Sequence, residues 1–122
     1  MIEFKNIDLK VGEKKILTDF DLLIPEKKLI LICGPTGSGK SSFLRIMNGL
    51  IPYLYSGEVK GQISLNEFSL IPNRPRDLSR LVGYVPQDPT SAFVTDTVID
   101  ELAFALEHQN FDVKEMELRI VP

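Results

Sequence analysis

The sequence predicts an α/β fold, and three observations indicate it. Residues 29–33 (LILIC) form an unbroken apolar run, which is typical of a strand buried on both faces of a sheet. A glycine-rich segment follows at residues 34–39, and apolar residues then recur at helical spacing from residue 43 to residue 50. Strand, glycine loop and helix together form one α/β unit, whose sheet we expect helices to cover.

Further strands and helices are expected on both sides of this unit. Alternation or short apolar runs bounded by turn residues predict strands over residues 2–9, 16–24, 59–65 and 81–85, the last of them buried. Residues 51–58 and 71–76 carry proline and other turn-forming residues and are interpreted as connections. Residues 97–107 have the apolar spacing of an amphipathic helix. Asp112, with Glu115 three residues later, is typical of the start of another helix.

Composition fits one folded domain and excludes some classes of function. The chain has 122 residues, of which 43% are hydrophobic, enough for a core. The net charge of −3 argues against general nucleic-acid binding, which requires a basic face, so no nucleic-acid partner is expected. Residues 88–122 are the acidic part, with eight acidic and two basic side chains. A single cysteine, Cys33, cannot form an internal disulfide, which favours a reducing cytosol and a small core side chain at this position.

Residues 34–41 (GPTGSGKS) match the pattern G-x-x-x-x-G-K-[S/T] of a phosphate-binding loop. Backbone N–H groups at the positive end of a helix can meet triphosphate oxygens, and glycine permits their close approach. We expect Lys40 to bridge the β- and γ-phosphates and the Ser41 hydroxyl to ligate Mg²⁺. Ser42 is expected to help pack or cap the helix. The predicted ATP-binding residues are Gly34, Pro35, Thr36, Gly37, Ser38, Gly39, Lys40, Ser41 and Ser42. The alternative is a glycine-rich turn that happens to precede a lysine.

Three further segments give the chain a resemblance to the N-terminal part of ATP-binding cassette (ABC) ATPases. They are the entry strands over residues 2–25, residues 56–63 (SGEVKGQI) and residues 82–89 (VGYVPQDP). The resemblance implies a truncated P-loop NTPase core with an antiparallel β subdomain and the start of a helical subdomain. It identifies residues 82–89 with the family's Q-loop, so Gln87 is expected to act with Lys40 in catalysis and with Ser41 as a metal ligand. Val11 stands near the position where the family often has an adenine-stacking aromatic residue.

The same resemblance gives a division of the chain. Residues 1–122 are expected to be the N-terminal half of an ABC ATPase domain, with residues 1–87 as the nucleotide-binding core that contains the Walker A loop. Residues 88–122 would continue the Q-loop and begin the helical subdomain. The 122 residues contain no family signature, Walker B strand or switch histidine, since His108 comes at the wrong place in the order and is interpreted as a surface residue near a helix end. We therefore expect the chain alone to hydrolyse ATP little or not at all.

A narrower resemblance comes from residues 49–58, 87–98 and 101–107, which are similar to those of energy-coupling factor (ECF) or cobalt-type ATPases. It implies uptake of a vitamin or metal ion, a transmembrane coupling subunit, a second ABC ATPase and a peripheral place on the cytoplasmic face of the cell membrane. Phe93, Val94, Asp100 and Glu101 are then candidate contacts for the membrane partner. Alternatively, Phe93 is a core residue and the acids only solvate the helix.

Two other interpretations of the whole chain stay open at this point. One is a non-catalytic nucleotide-binding module from a truncated or split gene. The other is a soluble P-loop kinase, which the segment at residues 86–89 and the entry strands disfavour.

Overall fold

The computed structural model describes residues 1–120 and divides the chain into two compact units, Met1–Gly83 and the residues from Tyr84 onward. A four-stranded antiparallel sheet organises the first unit, in the strand order β2-β1-β3-β4. Its strands are β1 (Ile2–Val11), β2 (Lys14–Ile24), β3 (Glu58–Leu65) and β4 (Phe68–Ser69). The first three confirm the strands that alternation predicted. Periodicity could not predict β4, because a strand of two residues has none.

Five helices accompany the sheet in the described chain. They are α1 (Lys40–Met47), α2 (Leu50–Tyr53) and α3 (Pro75–Leu78) in the first unit, and α4 (Val98–Glu107) and α5 (Val113–Ile120) in the second. The helix predicted after the glycine loop is confirmed but ends earlier, with Asn48 as its C-cap. The predicted connection over residues 51–58 overlaps α2 at its start and β3 at Glu58, although Ile51 itself has a non-helical backbone. The helices expected near residues 97–107 and after Asp112 are confirmed, as is the surface position of His108 at the end of α4.

Two predicted buried strands do not form. Residues 29–33 and 81–85 contain no strand, and the only sheet of the described chain leaves them out. Leu29 is 99% exposed and Val85 is 78% exposed. A buried strand needs neighbouring strands for its backbone hydrogen bonds and a cover over both faces, and residues 1–120 supply neither for these two segments. For the same reason the prediction that Cys33 is a core residue is wrong, since the cysteine is exposed.

The core of the first unit lies between the sheet and α1. Phe43 of α1 stacks on Phe4 of β1, with ring centroids 4.9 Å apart and an angle of 25° between the rings. Phe20 of β2 meets both rings edge-on, at 6.2 Å and 5.9 Å. The buried apolar residues of this core are Phe4, Ile7, Leu9, Phe43, Ile46, Ile51, Ile63, Leu70 and Leu78. The α/β class with an antiparallel β subdomain is thus confirmed.

A bulge interrupts the pairing of β1 with β3. Two residues of β1, Asn6 and Ile7, stand opposite one residue of β3, Gly61. Gly61 has a φ of +99°, and a Cβ placed on it would lie 2.4 Å from the Asn6 carbonyl oxygen. Both the backbone conformation and the close approach of β1 therefore require glycine at this position.

We predict that Gly61→Ala destabilises the first unit by about 2–4 kcal/mol, because the added methyl group meets backbone and the φ is unfavourable. Urea denaturation of the two chains measures this difference. Gly83→Ala is the matched control, since a Cβ at Gly83 meets no atom within 4 Å. The control should change stability by less than about 0.5 kcal/mol. Equal losses in the two variants would contradict the account of the bulge.

Candidate functional site

The glycine loop leads directly into the first turn of α1. Residues 36–39 form a turn and a bend, within which the Ser38 N–H donates to the Pro35 carbonyl at 3.2 Å. Gly39 is the N-cap of α1, and its carbonyl accepts the Phe43 N–H at 2.8 Å. Because Phe43 is fixed in the core, the start of the helix and the end of the loop are fixed with it. A Cβ on Gly39 would lie 2.1 Å from Ile16 Cγ2, so β2 packs directly against the loop.

The N–H groups at the N-terminus of α1 are not capped by a side chain. No side chain caps the helix at Gly39, and its first turn contains no acidic residue. The first N–H groups of a helix have no intrahelical partner and carry the positive end of the helix dipole. Residues 34–38 beside them are exposed. This arrangement fits an anion that approaches the loop from solvent.

Lys40 reaches back across the loop. Its Nζ donates to the carbonyl oxygens of Gly34 and Pro35 at 2.8 Å and 2.9 Å, and lies 3.5 Å from Ser38 Oγ. These bonds keep the ammonium group at the loop, where phosphate oxygens could replace the carbonyls as acceptors. The structure thus brings Lys40 together with Gly34, Pro35 and Ser38 of the predicted loop, while the nucleotide-binding role of these residues stays a prediction.

A metal at this loop would have few ligands from the protein. The described chain contains no group of three His, Cys, Asp or Glu residues placed to hold a metal ion. Ser41 is exposed on the first turn of α1, and Ser42 beside it is half-buried. A serine hydroxyl together with phosphate oxygens and water is a suitable ligand set for Mg²⁺, which usually keeps several waters. The residues present thus fit Mg²⁺ that arrives with a nucleotide.

Gln87 lies in the second unit, and the strand expected before it does not form. The side chain is exposed at a bend, next to a 3₁₀ turn over Pro89–Ala92. Asp88 fixes this turn, because its Oδ1 accepts the Thr90 N–H at 3.1 Å. The structure therefore defines the backbone around Gln87. Its catalytic and metal-binding roles stay predictions.

A second polar cluster stabilises the approach to α4. Glu101 Oε2 accepts the Val94 N–H, the Thr95 N–H and the Thr95 hydroxyl, each at 3.0 Å. The two backbone N–H groups, and then the hydroxyl, hold the pKa of the Glu101 carboxyl below its ordinary value of 4.5. Glu101 is thus engaged within its own unit.

Thr97 caps α4 through a reciprocal pair of hydrogen bonds with Asp100. Its hydroxyl accepts the Asp100 N–H at 3.2 Å and donates to Asp100 Oδ2 at 2.6 Å. Sequence reasoning missed this pair, although the spacing T-x-x-D before an apolar run is a capping signal. No comparable local pattern predicts the bonds of Glu101.

The loop that Glu101 holds presents two apolar side chains to solvent. Phe93 is 64% exposed and Val94 is 66% exposed. The alternative that Phe93 is a core residue is therefore wrong for this structure. Asp100 also lies exposed at the start of α4.

The chain is similar to proteins of one known family. Residues 17–119 match the family described as ABC transporter, and the chain belongs to it. A protein of Streptomyces avermitilis named as an ABC transporter ATP-binding protein is 35% identical over 122 residues, which cover 98% of this chain and 22% of the relative. A protein of Pyrococcus abyssi with the same kind of name is 38% identical over 122 residues, covering 98% of this chain and 44% of the relative.

A third relative, from Lactiplantibacillus plantarum and named in the same way, is 41% identical over 110 residues, which cover 88% of this chain and 19% of the relative. The chain thus spans less than half the length of these relatives. Their names support an ABC ATP-binding domain and specify no transported substrate. Within residues 1–120, no helix has both the length and the apolar character needed to cross a bilayer.

We predict that Glu101→Gln destabilises the second unit in a pH-dependent way. The pKa of Glu101 is lowered on folding, so its carboxylate stabilises the folded unit fully above the ordinary value of 4.5 and loses this effect as the pH falls through the lowered value. Thermal unfolding, followed by circular dichroism at about pH 7 and about pH 3, measures the difference in unfolding temperature between the variant and the wild type. The variant should unfold at a lower temperature than the wild type at the higher pH, and the gap should shrink at the lower pH.

Glu107→Gln on the same helix is the control for this experiment. It should change the unfolding temperature little at either pH. A gap for Glu101→Gln that is unchanged between the two pH values would contradict the assigned role of the carboxylate.

Proposed function

We propose that the chain binds Mg-ATP at residues 34–42 and serves as the nucleotide-binding part of an ABC transporter. The observation that carries this proposal is the uncapped N-terminus of α1, which meets an exposed glycine loop bridged by the Lys40 ammonium group. Membership of the ABC transporter family supports the same ligand. Most of these contacts would come from the backbone, since a triphosphate offers many acceptor oxygens to N–H groups.

The charged groups of the loop have separate roles in this proposal. Lys40 would exchange the carbonyl oxygens of Gly34 and Pro35 for phosphate oxygens, which form stronger bonds because both partners are charged. When bound, Mg²⁺ would supply positive charge that offsets the phosphate charge. On the protein side, the Ser41 hydroxyl would be one of its ligands. The Gln87 amide would be another and would also contact the attacking water, because it offers a donor and an acceptor without adding charge.

We predict that Lys40→Ala weakens binding of Mg-ATP by about 10- to 100-fold, since it removes charge-assisted hydrogen bonds. Isothermal titration calorimetry of the whole chain measures the dissociation constants. Lys60→Ala on β3 is the matched control, because it removes the same charge from the sheet and should bind like the wild type. Equal binding by the Lys40 variant and the wild type would refute the role of Lys40. A wild-type chain that does not bind would refute the proposed function.

We further propose that the full protein belongs to an importer of the ECF type, which couples ATP hydrolysis to uptake of a vitamin or metal ion. The segments at residues 49–58, 87–98 and 101–107 support this narrower assignment by resemblance. The exposed Phe93 and Val94, held by Glu101, support a contact with a transmembrane coupling subunit. A second ABC ATPase would complete the assembly on the cytoplasmic face of the membrane.

We predict that Phe93→Asp reduces co-purification of the chain with the transmembrane subunit of an ECF importer by more than about fivefold, as loss of a central aromatic contact does in other interfaces. The measurement is affinity capture after co-expression in membranes, quantified by immunoblot. Phe68→Asp on β4 is the matched control, because Phe68 is also exposed but lies in the first unit. Equal loss in both variants, or none in either, would contradict the proposed contact.

A further inference from the structure

Beyond the residues of the loop itself, one cation on β2 contacts it. Lys14 Nζ donates to the carbonyl oxygen of Gly37 at 2.5 Å. Lys14 is the first residue of β2 and pairs with Val11 across the turn at Gly12 and Glu13. The sheet therefore fixes the backbone from which this side chain extends. The phosphate-loop pattern ends at residue 41 and begins at residue 34, so it gives Lys14 no role.

The contact is part of a broader packing of β2 on the loop. Lys14 bonds to Gly37 and Ile16 lies against Gly39, so both residues touch the loop. Lys15 instead lines a groove on the sheet with Lys10 and Lys60. Of these two adjacent lysines, Lys14 bonds to the loop and Lys15 lines the groove.

Two ammonium groups consequently bond to carbonyl oxygens of the loop. Lys40 bonds the carbonyls of Gly34 and Pro35, and Lys14 bonds the carbonyl of Gly37. Lys14 can keep the Gly37 carbonyl oxygen occupied when Lys40 turns to the phosphates, so that the N–H groups and the positive helix end dominate the field that the ligand meets. Such a field favours a ligand more strongly as its negative charge increases.

We propose that Lys14 is a positioning residue of the phosphate loop, which holds the Gly37 carbonyl and favours triphosphates over monophosphates. This inference rests on the proposed function of the loop as an ATP site. Lys14 acts through the loop carbonyl and through its charge. Removing the Lys14 ammonium group should therefore reduce affinity by an amount that grows with the number of phosphates on the nucleotide.

The test compares three variants of the whole chain by calorimetry with Mg-ATP and with AMP. Lys14→Met should weaken Mg-ATP binding by about three- to tenfold and AMP binding by less than about twofold, as expected for an exposed charge-assisted contact. Lys14→Arg, which keeps the charge and a donor, should stay within about twofold of the wild type for both nucleotides. Lys15→Met, which removes the same charge one residue away, should also stay within about twofold.

A measurement without nucleotide tests the contact itself. The carbonyl ¹³C resonance of Gly37 should shift in Lys14→Met relative to the wild type and should not shift in Lys15→Met, because only the first change removes its hydrogen bond. An unmoved resonance would overturn the inference, as would equal Mg-ATP affinity of Lys14→Met and the wild type while Lys40→Ala binds weakly. A wild-type chain that does not bind Mg-ATP would instead overturn the proposed function, and with it the preference for triphosphates.

Discussion

The stacking of Phe43 on Phe4 is the contact on which the candidate site depends. It joins α1 to β1, an inner strand of the sheet, and Phe20 of β2 packs against both rings. Truncating a buried phenylalanine to alanine costs about 3–5 kcal/mol, a large share of the roughly 5–15 kcal/mol that stabilises an ordinary domain. The aromatic cluster therefore fixes the direction of α1, and with it the N–H groups that face the glycine loop.

The loop also depends on this cluster through β2. The strand that contributes Phe20 to the core brings Lys14 and Ile16 against the loop near its own start. Phe43 lies only three residues after Lys40, less than one helical turn from the loop. The loop is thus held on two sides by elements that meet in one core, although its own side chains are exposed. This explains how residues 34–38 can keep a defined backbone with little burial of their own.

The elements that sequence predicts correctly are those encoded by local patterns. Alternation predicts β1, β2 and β3, and the helical spacing of apolar residues after the glycine loop predicts α1. The two predicted buried strands fail for one physical reason, since an apolar run specifies only that a segment can be buried. Residues 29–33 meet no neighbouring strand in residues 1–120 and stay exposed. The contact of Lys14 with Gly37 spans 23 residues and has no local pattern that could predict it.

The acidic character of residues 88–122 has a structural explanation in the second unit. Asp88, Glu101 and Asp112 each accept backbone N–H groups, and Asp100 accepts the Thr97 hydroxyl at the start of α4. Carboxylates are favoured at these places because helix and turn beginnings expose N–H donors. Half of the eight acidic side chains of this segment thus stabilise its own backbone or caps. A partner of the segment would therefore recognise the apolar pair Phe93 and Val94 more than the total negative charge, because the carboxylate beside that pair is already bonded to the loop that presents it.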